Sequence, residues 1–159
     1  PHTSGVASAL LTSLLLIGLL MGCQSDRPSE PVSEVATEGE GIQIEDPWAR
    51  PAEEGRMSAG YMRIRNNSDQ PDTLMAVSSQ VARQTELHES YELEDGMMGM
   101  REVEQLVLQP GSTTSLEPGG LHIMLMQLTE SLVDGDQLEL TLTFSQQGEV
   151  PVTLQVQPQ

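Results

Sequence analysis

The chain has 159 residues, enough for one small domain once its ends are set aside. Its net charge is −17, from 24 acidic residues against seven arginines and no lysine, and this excludes nucleic-acid binding, which needs a basic footprint. The single cysteine excludes an intramolecular disulfide.

Residues 1–22 carry no Asp, Glu, Lys or Arg, and "ALLTSLLLIGLLMG" (9–22) is an apolar run that stops at Cys23. A membrane span needs about 20 apolar residues, so this run reads as the core of an export signal rather than a span. The chain opens "PHTSG", without Met or a basic residue, and the expectation is that a few residues of that signal precede it. "LLMGC" resembles the lipobox of bacterial lipoproteins, with Met21 a less usual residue at its position. The expectation is a lipidated Cys23 that anchors the protein in a membrane on the periplasmic side. From Cys23 to Gly41 the sequence is rich in Ser, Pro, Glu and Gly and poor in large apolar residues, the composition of a disordered tether. The folded domain is expected over 42–159.

Within that domain short strands alternate with turn signals. "IQIEDPWARP" (42–51) gives a strand ending at prolines, and "SAGYMRIRN" (58–66) alternates before the turn cluster "NNSDQPD". "TLMAVSS" (73–79) and "ARQTELHES" (82–90) follow as strands, with His88 near the end of the second. After the turn "ELEDG", the run "MMGMREVEQLVL" (97–108) gives one or two strands, and "QPGSTTSLEPGG" (109–120) holds a short strand between Pro/Gly turns. "LHIMLMQL" (121–128), "QLELTLTF" (137–144) and "EVPVTLQV" (149–156) complete the set. No long stretch shows a 3.6-residue apolar period, so the domain is read as an all-β sandwich or barrel with antiparallel pairing.

"LHIMLMQL" places His122, Met124 and Met126 on one face and Leu121, Ile123 and Leu125 on the other. His88 and His122 are the only histidines after the export segment, and Met97, Met98, Met100, Met124 and Met126 lie in the same part of the chain. The domain has no thiol. Neutral thioethers are poor ligands for zinc, calcium or magnesium but suit Cu(I), and imidazole suits copper as well. Two His and two Met therefore point to a soft-metal site that needs no oxidisable cysteine. Met98 shares strand parity with Met100, and Met126 with Met124, so each is a candidate secondary ligand. Met97 falls on the opposite face and is assigned to the core, as are Met57, Met62 and Met75 to packing. Trp48 and Tyr61 are read as core or near-core aromatics.

The spacing is His88, eleven residues, Met100, twenty-one residues, His122, one residue, Met124. It resembles the signature of the PCuAC family of periplasmic copper chaperones, as do the blocks "DPWARP", "AGYMRIRNN", "ELHE", "DGMMGMR" and "PGGLHIMLM". Glu89 departs from the pattern, standing where the family optionally has a methionine. The resemblance implies a cupredoxin-like Greek-key β-sandwich that binds Cu(I) through His88, Met100, His122 and Met124. It also implies delivery of copper to the copper-binding subunit of cytochrome c oxidase, in concert with a Sco-type thiol protein. Storage or buffering of copper is the nearest alternative, and a lipid-anchored structural module is the next. A carboxylate hydrolase using Glu86 and Glu89 lacks a second catalytic feature, and a blue-copper electron carrier lacks the required cysteine.

Overall fold

The computed structural model describes residues 41–94 and 96–158. The export segment, Cys23 and nearly all of the tether lie outside the described residues. The domain is built from ten strands: β1 Ile42–Ala49, β2 Ser58–Asn66, β3 Asp72–Ser79, β4 Ala82–Glu92, β5 Met98–Glu102, β6 Leu106–Leu108, β7 Thr113–Leu116, β8 Leu121–Leu128, β9 Gln137–Phe144 and β10 Gly148–Val156. Each expected strand is present, and the 97–108 run resolves into two, β5 and β6. Among the described residues no helix is long and apolar enough to cross a membrane.

Hydrogen bonding follows one path, β5-β4-β8-β2-β1-β10-β9-β3-β6, with β7 paired to β2. The path folds over a shared core, so the architecture is the expected cupredoxin-like β-sandwich. Alternation decides which side chains enter it. In β9, Leu138, Leu140, Leu142 and Phe144 are buried, and β10 sets Leu154 opposite Leu138 and Val152 opposite Leu140. From the other half of the path come Met62, Ile64, Leu87, Ile123 and Leu125. A Cβ at Gly60 would lie 2.9 Å from Leu154 Cδ2, so the end of the Leu154 side chain would have to shift to admit one.

One pairing departs from the antiparallel expectation. β1 and β10 run parallel, with Trp48 opposite Gln155 and Ala49 opposite Val156. Hairpin turns impose antiparallel direction on sequence neighbours, but nearly the whole domain separates β1 from β10, so no turn dictates their sense.

Two buried polar residues fasten the loops. The Asn66 amide donates to the carbonyls of Gln70 (2.8 Å) and Leu108 (3.1 Å), and its oxygen accepts from the Ser68 backbone N–H (3.0 Å) and hydroxyl (2.7 Å). Asp72, at the start of β3, caps the β9–β10 turn. Its carboxylate accepts from the Ser145 hydroxyl (2.8 Å) and from the backbone N–H groups of Gln146 (2.9 Å), Gln147 (2.9 Å) and Thr73 (2.7 Å). Burial pushes the Asp72 carboxyl up, and these donors outweigh it, leaving its pKa below the ordinary carboxylate value.

Candidate metal centre

The register of β5, β4, β8 and β2 lays the chemistry-bearing residues on one face. Partners directly opposite each other in an antiparallel pair project to the same side. His88 of β4 faces His122 of β8, Glu86 faces Met124, and Gln84 faces Met126. On the far side of β4, Ser90 faces Met100 and Glu92 faces Met98 of β5. On the far side of β8, Ala59 of β2 faces Met124. The opposite face carries Leu87, Ile123 and Leu125 into the core. His88 therefore lies in mid-strand, since β4 continues to Glu92, two residues beyond the expected end.

The two imidazoles stand with ring centroids 6.0 Å apart in an edge-to-face arrangement. Each is oriented by one hydrogen bond. His122 Nδ1 lies 3.0 Å from the Gly120 carbonyl, so this nitrogen carries the proton and Nε2 holds the lone pair. His88 Nε2 lies 2.8 Å from Glu86 Oε2 and donates to it, so in the neutral ring the lone pair is on Nδ1. That Nδ1 is buried and, among the described residues, has no hydrogen-bond partner. A buried, unpaired nitrogen is costly in a folded protein unless another ligand uses it. The hydrogen bond from His88, reinforced by one from the Gln84 amide, holds the Glu86 pKa below its ordinary value, so the acceptor stays ionised.

A hollow of about 260 Å³ opens beside His122, lined by Met100, His122, Met124, Met57, Tyr61 and Arg50 among others, with His88 outside its lining. His122 is only 5% exposed, whereas Met100 is 55% exposed on its edge strand. The centre thus has a rigid inner wall and an open thioether at the rim. Tyr61 stacks against Trp48 at 4.5 Å between centroids and reaches to 6.4 Å from the His122 ring. A β-bulge in β1 between Glu45 and Trp48 turns Trp48 onto this face, and Asp46 within it takes a positive φ of 49°. Burial raises the Tyr61 pKa and the Arg50 guanidinium, 5.4 Å from the ring centroid, pulls the other way.

Three methionine assignments change. Met97 is 60% exposed and precedes the edge strand β5 rather than entering the core. Met57 and Met75 are exposed too, and of the three assigned to packing only Met62 is buried. Met57 lines the hollow, a placement the sequence reading missed. Met98 and Met126 share the face of the centre but do not line its hollow; Met126 lines a neighbouring one. Glu89 is ion-paired to Arg101.

Among the described residues no three His, Cys, Asp or Glu side chains converge as a metal site. Two imidazole lone pairs beside thioethers form a neutral, soft donor set, and that set fits Cu(I) rather than a hard cation. Fold and site together define a cupredoxin-like domain with a two-histidine, thioether-bearing centre.

The family described as "Putative lipoprotein LpqE-like" matches residues 42–156, and the chain belongs to it. A relative from Leifsonia xyli subsp. xyli, described as a "Putative lipoprotein", is 30% identical over 155 residues, spanning 97% of this chain and 91% of its own length. Among solved structures, the copper-bound PCuAC domain from PmoF2 is similar at 30% identity and a TM-score of 0.62, covering 74% of this chain and 93% of that one. The apo PCuAC domain from PmoF1 is 28% identical with a TM-score of 0.64, covering 74% and 94%. The CuI form of DR1885 from Deinococcus radiodurans is 27% identical with a TM-score of 0.57, covering 77% and 83%.

Proposed function

We propose that this protein is a periplasmic Cu(I) carrier, tethered to a membrane through Cys23, with His88, Met100, His122 and Met124 as its ligands. The observation that carries this reading is the buried His88 Nδ1, without a hydrogen-bond partner among the described residues, on a ring 6.0 Å from that of His122, which itself lines the thioether-bearing hollow. Copper in the PmoF2 domain and CuI in DR1885 support the choice of metal. The lipoprotein descriptions of the family and of the Leifsonia relative support the tether.

The ligand set suits a carrier without turnover chemistry. Neutral donors hold Cu(I) without a charge to be neutralised, and the exposed Met100 is the first that an acceptor can displace. The inner imidazoles keep the ion until the acceptor's own ligands are in place. The acceptor we propose is the copper-binding subunit of cytochrome c oxidase, with a Sco-type thiol protein acting alongside. Mixing the Cu(I)-loaded protein with that apo subunit domain is expected to move one copper per chain onto the acceptor. Retention of the copper would instead assign the protein to storage or buffering.

Two outcomes follow from the donor chemistry. Cu(I) affinity falls as the pH is lowered, because protons compete for the imidazole lone pairs while thioethers do not titrate. A chelator competition repeated across the acid range measures this. Glu86→Leu removes the acceptor that fixes the His88 tautomer and lowers Cu(I) affinity about 10–100-fold, the usual cost of losing an outer partner of a metal-bound histidine. Glu86→Gln, whose amide oxygen still accepts from Nε2–H, is expected to retain most of the affinity in the same competition assay.

A further inference from the structure

The β2–β8 register pairs Ser58 with Leu125, Ala59 with Met124 and Gly60 with Ile123. The ladder ends at Ser58, and the residues just beyond it on each side, Met57 and Met126, line a second hollow next to the first. Methionine is unbranched and flexible, so two thioethers lining one hollow can turn toward a single ion. The backbone beneath them is fastened: the Gly55 N–H donates to the Leu128 carbonyl (2.8 Å), and the Leu128 N–H to the Arg56 carbonyl (3.1 Å). Gln127 between them takes a positive φ of 53°, which takes up the offset between these bonds and the inner register. Met57 is 62% exposed and is not part of the hydrophobic core, so packing does not account for it. It is also shared, lining both this hollow and the one that holds Met100, His122 and Met124.

We infer that Met57 and Met126 form a second, weaker soft-metal site, an outer station through which Cu(I) enters or leaves the inner centre. The inference builds on the proposed Cu(I) reading of the inner centre. Two neutral thioethers without an imidazole bind more weakly than the inner set. Met57, facing both hollows, lets the ion change partners without passing through water. No electron moves and no covalent bond is made; the step is an exchange of donor atoms.

The test is a titration of the full chain, labelled with ¹³C at the methionine methyls, with Ag(I) as a redox-stable substitute for Cu(I). The first equivalent is expected to shift Met100 and Met124. The second is expected to shift Met57 and Met126 together, ahead of the exposed Met75, which serves as an internal control for unspecific thioether binding. Met126→Leu is expected to abolish the second-phase shift of Met57 and leave the first phase intact. The outer station is overturned if Met57 and Met126 respond no earlier than Met75, or if the Met57 response survives Met126→Leu. Failure of the first equivalent to move Met100 and Met124 would count against the inner centre and is read from separate signals.

Discussion

Replacing His122 and Met124 together by alanine removes tight Cu(I) binding. The pair supplies half of the proposed donor set from a single strand, at positions i and i+2 on one face of β8. Its loss exceeds the roughly 10–100-fold effect of removing an outer partner such as Glu86, because donor atoms themselves disappear. His122 is buried, so the double variant also leaves a gap beside Tyr61, and a folding control is needed. Met100→Leu provides it. Met100 is exposed on an edge strand, so its replacement leaves unfolding in urea unchanged while still weakening Cu(I) binding in chelator competition. A Met100 variant with full affinity would show that the rim thioether is not a ligand.

Asp72→Ala destabilises the domain by about 3 kcal/mol, the cost of leaving buried donors around a lost carboxylate unpaired. Three of the four donors belong to residues 145–147, the turn that joins β9 to β10, and both strands feed the core. The sign of the pH dependence follows from the lowered folded-state pKa. A carboxyl whose pKa is depressed by folding contributes stability that is fully present above its unfolded value and is lost as pH falls through the folded value. The gap between wild type and Asp72→Ala is therefore widest near neutrality and closes in strong acid. Urea unfolding at a series of pH values measures both the size and the closure. Cu(I) binding near neutrality is expected to be unaffected, because Asp72 lies at the start of β3, away from the β4–β8 ladder.

The strands were legible because their turns and alternation were strong: "QLELTLTF" fixes its inward face residue by residue, and "SAGYMRIRN" coincides with β2. The sense of the β1–β10 pair was not, since it depends on closure of the whole path rather than on a turn. At the centre, parity along "LHIMLMQL" correctly set His122 apart from Ile123 and Leu125. Parity assigns a side chain to a face but does not say whether that face is covered, and this is why Met97 was misplaced. Met57 was missed because it precedes β2, where no periodicity reaches it, and the hollow it shares with Met126 forms only in the folded domain. Glu86 stood in plain view two residues from His88. Its hydrogen bond to Nε2, and the unpaired Nδ1 that results, needed the packed β4–β8 ladder.

X-ray absorption at the copper edge of the Cu(I)-loaded protein tests the central claim most directly. The expected result is one Cu(I) per chain in a mixed shell of two imidazole nitrogens and two thioether sulfurs, with the sulfur contribution reduced in Met124→Leu. A shell of nitrogen and oxygen alone, or a sulfur contribution unchanged by that substitution, would contradict it.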